Sequence, residues 1–567
     1  MWKKVISVVL CAVLCCLLFA ACKQEETAVT LPVDSIPGSA DPAVSDSTAA
    51  STLAANCYEG LVRVDENGNV QKAAADHWSI SDDGLTYTFI LRDGLTWHVP
   101  DADSAESARR NPLGEDFILG FPTAMTADDF VFGLQRAVAQ NTNAPGASRL
   151  FGIAGAPAVY AGEQKASSLG VKAVDEKTVR IRLSAPDSNF LVSLASPCAM
   201  PCSRTFFAKT AGRYGLSAGL TLCNGPYYLS SMDTTNGRSV TMTKNPSYTG
   251  AFVGTVDTCT LTLGKESVAD GEEGVTDILA DLNSDESRLD GAILSAAAES
   301  SLPKTVEVSE YDNIVNTILF NMGSDFSGNE DLRLALTSAT DVSKLVTGPS
   351  EAARGLIPDC CNAVSGTNYR EAAGNAGARQ VSLKTAKEYY AAAREKFEAA
   401  ATKDDPAPER FEITFLCLEK DKALVQSVVQ NWQKVFGTDL SITVETRETE
   451  ADLEASLVAG NYDVAYAPLR CSELVATNFL RRFYGETDQN VIHLASDEFD
   501  DLITKAASAT EDADVTAWCL AAEQYLIGTG ILLPVSQDST LLAVKKKTAD
   551  GLNVLPTGDT YLVYSIK

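Results

Sequence analysis

Apolar and polar positions change rhythm several times along the chain. An unbroken apolar run from Val5 to Phe19 follows Lys3 and Lys4, passes through Ala20 and Ala21 to Cys22, and gives way to Lys23, Gln24, Glu25 and Glu26. Residues 23 to about 50 are rich in Ala, Ser, Thr, Pro and Asp without periodicity, which suits a tether followed by an extended segment. From Gly60 the pattern shortens to period two. LVRVDENGNV predicts strand, turn and strand, and TYTFILRDGLTW alternates so that Tyr87, Phe89 and Leu91 share one face. Between His98 and Met125 the polar stretch DADSAESARRNPLGED reads as a surface insertion. ADDFVFGLQRAV then opens a helix, with Asp128 and Asp129 favouring its first turn.

The C-terminal half has a longer period. LKTAKEYYAAAREKFEAAA predicts a helix, FEITFLCL a strand and KALVQSVVQNWQKVF a second helix stopped at Gly437. LSITVET, TEADLEASLVA ending at Gly460, and YDVAYAPL continue as strand, helix and strand. Strands alternating with crossover helices imply parallel pairing, with ligands bound beyond the strand C-termini, so the segment after Ala467 is the expected binding edge. No internal repeat or long low-complexity stretch competes with this picture.

Composition narrows the function. The first apolar run is too short for a comfortable membrane span and ends in small residues, as in a cleaved secretory signal, and no second long apolar run follows. Without residues 1–21 the chain keeps 44 basic and 75 acidic residues, a net charge of −31, which argues against nucleic acid as a partner. Ten cysteines remain beyond Cys22. The adjacent Cys360 and Cys361, and Cys198 with Cys202, lack the spacing or nearby histidines of a zinc site, so most read as small buried side chains and no metal is expected. GLSAG, Gly215–Gly219, matches the hydrolase nucleophile pattern, but KTAGRY before it is no strand. A triad of Ser217, an acid and His493 therefore rests on chain order alone. HExxH and the phosphate loop are missing, and the reading is a binding protein rather than an enzyme.

The N-terminus resembles a bacterial lipoprotein signal, which implies cleavage after residue 21 and lipidation of Cys22. Beyond it, CYEGLVRVDENGNVQKAAADHWSISDDGLTYTFILRDGLTWH resembles the opening module of the family 5 extracellular solute-binding proteins, the receptors of oligopeptide and dipeptide ABC transporters. TADDFVFGLQRAV, GVKAVDEKTVRIRL, NGPYYLSS, KNPSY, NTILFNMGSDFSGNEDLRLALTSATD and NYDVAYAP follow in the family's order. The resemblance implies an α/β, periplasmic-binding-protein-like clamp of two lobes and three domains, with mixed, largely parallel sheets and a hinge. After the signal (1–21) and tether (22–40), a discontinuous lobe I would combine residues 41–58, 187–312 and 540–567. An inserted domain II would span 59–186, and lobe III 313–539. The implied protein is a monomer on the outer face of the cell membrane. It would hold a peptide without any cofactor and deliver it to an ABC permease and its ATPase, relatives with nickel chelates, haem or oligosaccharides supplying the alternative cargo.

The same resemblance places ligand contacts on Asp46, Ser47 and Thr48, on Tyr311 at the crossover, and on Tyr466, Pro468, Leu469, Arg470, Ser472 and Glu473. Each of these also has an ordinary loop, core or surface reading. Family members that bind short peptides carry a tryptophan and an amine-binding aspartate after the YDVA-like strand. Gapless alignment puts Leu469 and Ser472 at those positions, with Glu473 next to the second. Either Glu473 takes over the amine or it is a solvated loop carboxylate, and the residues leave both open.

Overall fold

The computed structural model describes residues 26–44, 47–235, 238–267, 275–364, 366–377, 381–402, 406–485 and 490–567. Cys22 and Asp46 lie outside them. Alternation becomes structure where it was expected. In the strand Thr86–Leu91, Tyr87, Phe89 and Leu91 are buried while the residues between them are half-buried. It lies within a four-stranded antiparallel sheet of Ala75–Ile80, Thr86–Leu91, Thr178–Arg182 and Val171–Asp175. The helix Ala127–Ala137 opens on a capping box in which Thr126 and Asp129 satisfy each other's backbone donors. Its Phe130 and Leu134 join Phe89 and Trp97 in one apolar core.

Two expectations change on folding. The polar stretch after His98 is not a mere surface insertion, because it forms the helices Ala105–Arg110 and Glu115–Gly120, whose Ala108 and Ile118 enter that core. The tether expected to run to residue 40 is also shorter: Ala28–Val33 is a strand paired in parallel with Thr258–Lys265, and Val29, Leu31 and Val33 are buried. A second core gathers these residues with Leu53, Tyr227, Leu261 and the C-terminal Val554 and Tyr561. The first core continues through Phe190 and Phe206 to Leu222, so packing does not break at residue 186.

A third sheet joins the lobes. Its order is Gly291–Ser295, Leu532–Lys545, Val306–Phe320, Val464–Arg470, Phe411–Leu418 and Leu440–Arg447, with Glu351–Ala352 on the second strand. The 15-residue strand Val306–Phe320 crosses between the lobes, and the 14-residue strand Leu532–Lys545 returns beside it, antiparallel. Gly291–Ser295 pairs with one end of the returning strand, and Val464–Arg470 pairs with the opposite end of the crossing strand. The far half of this sheet is buried on both faces. Phe411, Phe415, Val464 and Tyr466 pack on one side and Leu416, Ala465, Ala467 and Leu469 on the other, as continuous apolar strands require. Phe411–Leu418 is parallel to both Leu440–Arg447 and Val464–Arg470, as expected. The mixed α/β class stands, but antiparallel pairings outnumber parallel ones among the described strands, because most of them join strands that follow each other directly in the chain. Among the described residues no helix is long and apolar enough to cross a membrane.

His98 is structural. Its ring stacks on Tyr228 at 3.7 Å, and burial pushes its pKa down to about 4. Between that value and the ordinary 6.5 the unfolded chain binds a proton that the folded chain does not, so this histidine's contribution falls as pH falls through the window. Asp129, raised by burial to about 6, works in the opposite sense, since the folded chain holds its proton up to a higher pH. Comparing His98→Phe with the parent at each pH isolates the histidine. Chemical denaturation should show the variant gaining roughly 2–3 kcal/mol on the parent between pH 7 and pH 4, at about 1.36 kcal/mol per pKa unit. A constant difference would show that the ring is not held neutral.

Candidate functional site

The crossing strand is interrupted where it leaves one lobe for the other. Its register with the returning strand shifts between Tyr311 and Ile314, leaving Asp312 and Asn313 out of the regular ladder. Both are tied down. Asn313 is buried; its Nδ2 donates to the carbonyl of Thr557 and its Oδ1 accepts from the backbone and hydroxyl of Thr540. The Ser539 hydroxyl donates to Asp312 at 2.7 Å. The Asn313 carbonyl accepts from Cys471 N–H and the Asp312 carbonyl from Cys360 N–H. The bulge therefore anchors two segments at the mouth of the interlobe space, one after the strand Val464–Arg470 and one around residue 360.

A cavity of about 630 Å³ lies between residues 144–193 on one side and 473–508 on the other. This is within the roughly 300–1,000 Å³ typical of small-ligand pockets. Phe151, Pro157, Tyr160 and Ile503 supply apolar wall; Arg149, Arg481, Arg482, Glu473 and Asp187 supply charge. Arg149, from the short turn Ala147–Leu150, reaches across to Glu473 at 2.8 Å, and the pair is largely shielded from solvent. Glu473 in turn raises the Arg149 pKa further above its ordinary value. Arg481 stands 4.0 Å from Asp187, and Ser188 N–H donates to the Ala507 carbonyl at 3.0 Å. A small apolar patch of Val64, Val192, Leu474 and Val475 closes the same seam. Asn478 lines the cavity with a buried Oδ1 that has no hydrogen-bond partner among the described residues. An unpaired buried acceptor costs about 1–3 kcal/mol, so this atom is suited to an incoming donor.

The expected contact residues separate under this geometry. Glu473 is in the cavity wall. Ser472 is exposed beside it, its hydroxyl accepting from Arg482. Arg470 is held in a two-pronged pair with Glu450, both bonds 2.7 Å, on the outer side of its strand. Tyr466 and Leu469 are core residues on opposite faces of the sheet, and Pro468 is half-buried opposite Asn316. Tyr311 packs half-buried against the second core, which raises its pKa. Ser47 caps the helix Thr48–Cys57 by accepting from Ala50 N–H, and Thr48 is that helix's first residue. Ser217 precedes a short turn, Ala218–Leu220, while the His493 ring contacts the Leu457 carbonyl. Arg149, Asp187, Asn478 and Arg481 were missed, because an isolated arginine in PGASRLF carries no signal of what faces it after folding.

The structure also assembles a thiol cluster that chain spacing conceals. Cys471 comes from 110 residues beyond Cys361 to place its sulfur 3.1 Å away, and Cys360 joins them. All ten cysteines among the described residues are free thiols, and every one but Cys360 is buried.

Comparison with known proteins agrees with this architecture. The model of the bacterial extracellular solute-binding proteins, family 5 Middle, matches residues 69–491. Escherichia coli YgiS, named a probable deoxycholate-binding periplasmic protein, is 27% identical over 515 residues, covering 88% of this chain and 86% of that protein. The E. coli periplasmic oligopeptide-binding protein OppA is 24% identical over 511 residues, 88% of this chain and 84% of its own. Among solved structures, Listeria monocytogenes OppA bound to peptide shares the fold with a TM-score of 0.69 at 21% identity, covering 96% and 99% of the two chains. The pheromone receptor PrgZ gives the same score at 22% identity over 94% and 98%.

The Arg149–Glu473 pair spans the seam between the lobes, so its loss should open the clamp. In a double-mutant cycle of Arg149→Met and Glu473→Gln, each single variant should lose about 1–2 kcal/mol of closure free energy, with the double variant recovering part of it. Small-angle scattering would register this as a larger radius of gyration. Unchanged scattering from both single variants would mean the apolar seam holds the lobes alone.

Proposed function

Because the chain belongs to the bacterial extracellular solute-binding proteins of family 5, we propose that it captures oligopeptides by closing its lobes and presents them to an ABC permease and its ATPase. The reading keeps the division into lobe I, inserted domain II and lobe III. It also places the protein outside the cytoplasm as a monomer, held to the membrane by lipid on Cys22. The observation that carries the cargo assignment is the cavity itself, which offers both signs of charge and an unpaired acceptor within apolar walls. A peptide is the solute that meets all of these at once: an ammonium for a carboxylate, a carboxylate for a guanidinium and an amide N–H for Asn478. Backbone bonds of that kind give affinity without demanding a particular sequence.

Glu473 is the amine-binding acid in this reading, although Arg149 occupies it in the structure. A ligand ammonium entering the cavity exchanges with the guanidinium, which is then free to meet the ligand's carboxylate. Binding thus replaces one interlobe ion pair by two contacts through the ligand. Ser472, in the position aligned with the family's acid, is exposed and engaged by Arg482, so it contributes polarity but no charge.

A second reading is favoured by the charge count. Three arginines face two carboxylates around the cavity, and the apolar wall is extensive, so an amphipathic carboxylate is the alternative cargo. The similarity to YgiS points the same way.

Mass spectrometry of molecules released by denaturing the purified protein decides between them. A mixture of short peptides of varied sequence is expected; a single apolar acid would favour the second reading. Calorimetry then tests the anchor. Glu473→Gln should weaken a free-amine peptide about tenfold more than its N-acetylated form, a difference equivalent to about 1.4 kcal/mol. Equal losses for both forms would remove Glu473 from the role. For the tether, Cys22→Ala should shift the protein from the membrane fraction to the soluble fraction after export, whereas retention in the membrane would exclude the lipid on Cys22.

A further inference from the structure

We propose that Cys360, Cys361 and Cys471 form a binding site for one thiophilic d10 divalent cation of the zinc class, seated at the hinge of the clamp. One sulfur from each lies within 4.8 Å of the other two. Three sulfurs converging on one point is the significant feature. A disulfide joins two and leaves the third thiol pressed against the bridge, whereas a shared metal ion satisfies all three. Thiolates select soft ions, and three protein ligands with an open fourth position make an accessible tetrahedral site. Cys361 and Cys471 are buried while Cys360 is half-buried, which leaves a route from solvent. The Glu473 carbonyl accepts from the Cys471 thiol at 3.0 Å and from the Cys361 thiol at 3.6 Å, placing an oxygen donor beside the sulfurs.

The segments that carry the cysteines are tied down by hydrogen bonds, as a metal site requires of its surroundings. Cys360 and Cys471 are hydrogen-bonded through their backbone N–H groups to Asp312 and Asn313, the two residues of the hinge bulge. The loop before Cys360 is fixed by a buried network in which Glu523 accepts from Leu356 N–H at 2.6 Å, Ile357 N–H at 3.1 Å and Arg370 at 2.7 Å. The cysteines thus arrive from two segments that meet at the bulge and pair again just beyond it, where Asn362 N–H donates to the Leu474 carbonyl. A bound ion would cross-link them there, with the thiol protons released to solvent. The proposal stands apart from the identity of the cargo.

Titration of the purified, reduced chain with Cd2+ without oxygen tests it. The ultraviolet thiolate-to-metal charge-transfer band should saturate at one ion per chain, and Zn2+ bound beforehand should be displaced by Cd2+ one for one. Cys360→Ser, at the half-buried position, should weaken binding by more than the roughly 10–100-fold that loss of an outer-shell partner costs, with metal-free melting unchanged. Cys471→Ser should abolish the band. A second measurement holds if that variant fails to fold: intact mass of the exported protein, sprayed under native conditions, should show one bound metal ion. No saturable band, a band indifferent to Cys360→Ser, or a disulfide between Cys361 and Cys471 in the exported protein would each overturn the proposal.

Discussion

The strands Val306–Phe320 and Leu532–Lys545 constrain everything else, because they are hydrogen-bonded to each other along a length that no single lobe accommodates. Their ends belong to different packing environments: Gly291–Ser295 at one, Val464–Arg470 at the other. Two antiparallel strands resist shear along their axis but bend where the ladder is broken. The ladder is broken at Asp312 and Asn313 and again between Asn316 and Thr317, so this stretch is where the pair bends most readily. Asn313 gives the pivot a definite geometry, since its amide group is matched to Thr557 and Thr540 and a buried amide without partners is costly.

The cleft inherits its chemistry from that pivot. Cys471 follows the strand Val464–Arg470 and hangs from Asn313, so the next residues, Ser472 and Glu473, are delivered to the interlobe space by the hinge itself. Across the seam, Arg149 sits on a turn belonging to the other side. The Arg149–Glu473 pair is too shielded to be dismissed as a surface ion pair and too polar to hold the clamp shut unaided. A contact of that strength suits a device that must open and close, and ligand chemistry can substitute for it. The thiol cluster uses the same anchors from the opposite direction and connects the hinge to the buried Arg370–Glu523 network, both of whose side chains are shielded from solvent.

Much of this was legible in the sequence because it depends on neighbours in the chain. Period-two alternation identified the buried face of Thr86–Leu91, the acidic start and capping residues identified the helix Ala127–Ala137, and the glycines at 437 and 460 ended the helices before them. Such signals are local and survive whatever the rest of the chain does. The acidic balance likewise follows from composition alone. The family resemblance rests on the same kind of information, ordered motifs that specify elements, which is why it anticipated the clamp better than the contacts within it.

What only tertiary structure decided is which side chains face each other. The family resemblance placed Tyr466 and Leu469 in the cleft, yet both faces of that strand are covered and they became core. The early polar segment looked like a tether until Ala28–Val33 found its partner 230 residues away. Arg149 meets Glu473 across 324 positions, and Cys471 meets Cys361 across 110. Separations of that size leave no periodicity to read, since the closure of such long loops depends on the cores they connect rather than on residues near the contact. The sequence by itself determined the elements and their order. The pairing of opposed charges, the register break at the hinge and the convergence of three thiols came only from packing those elements against one another.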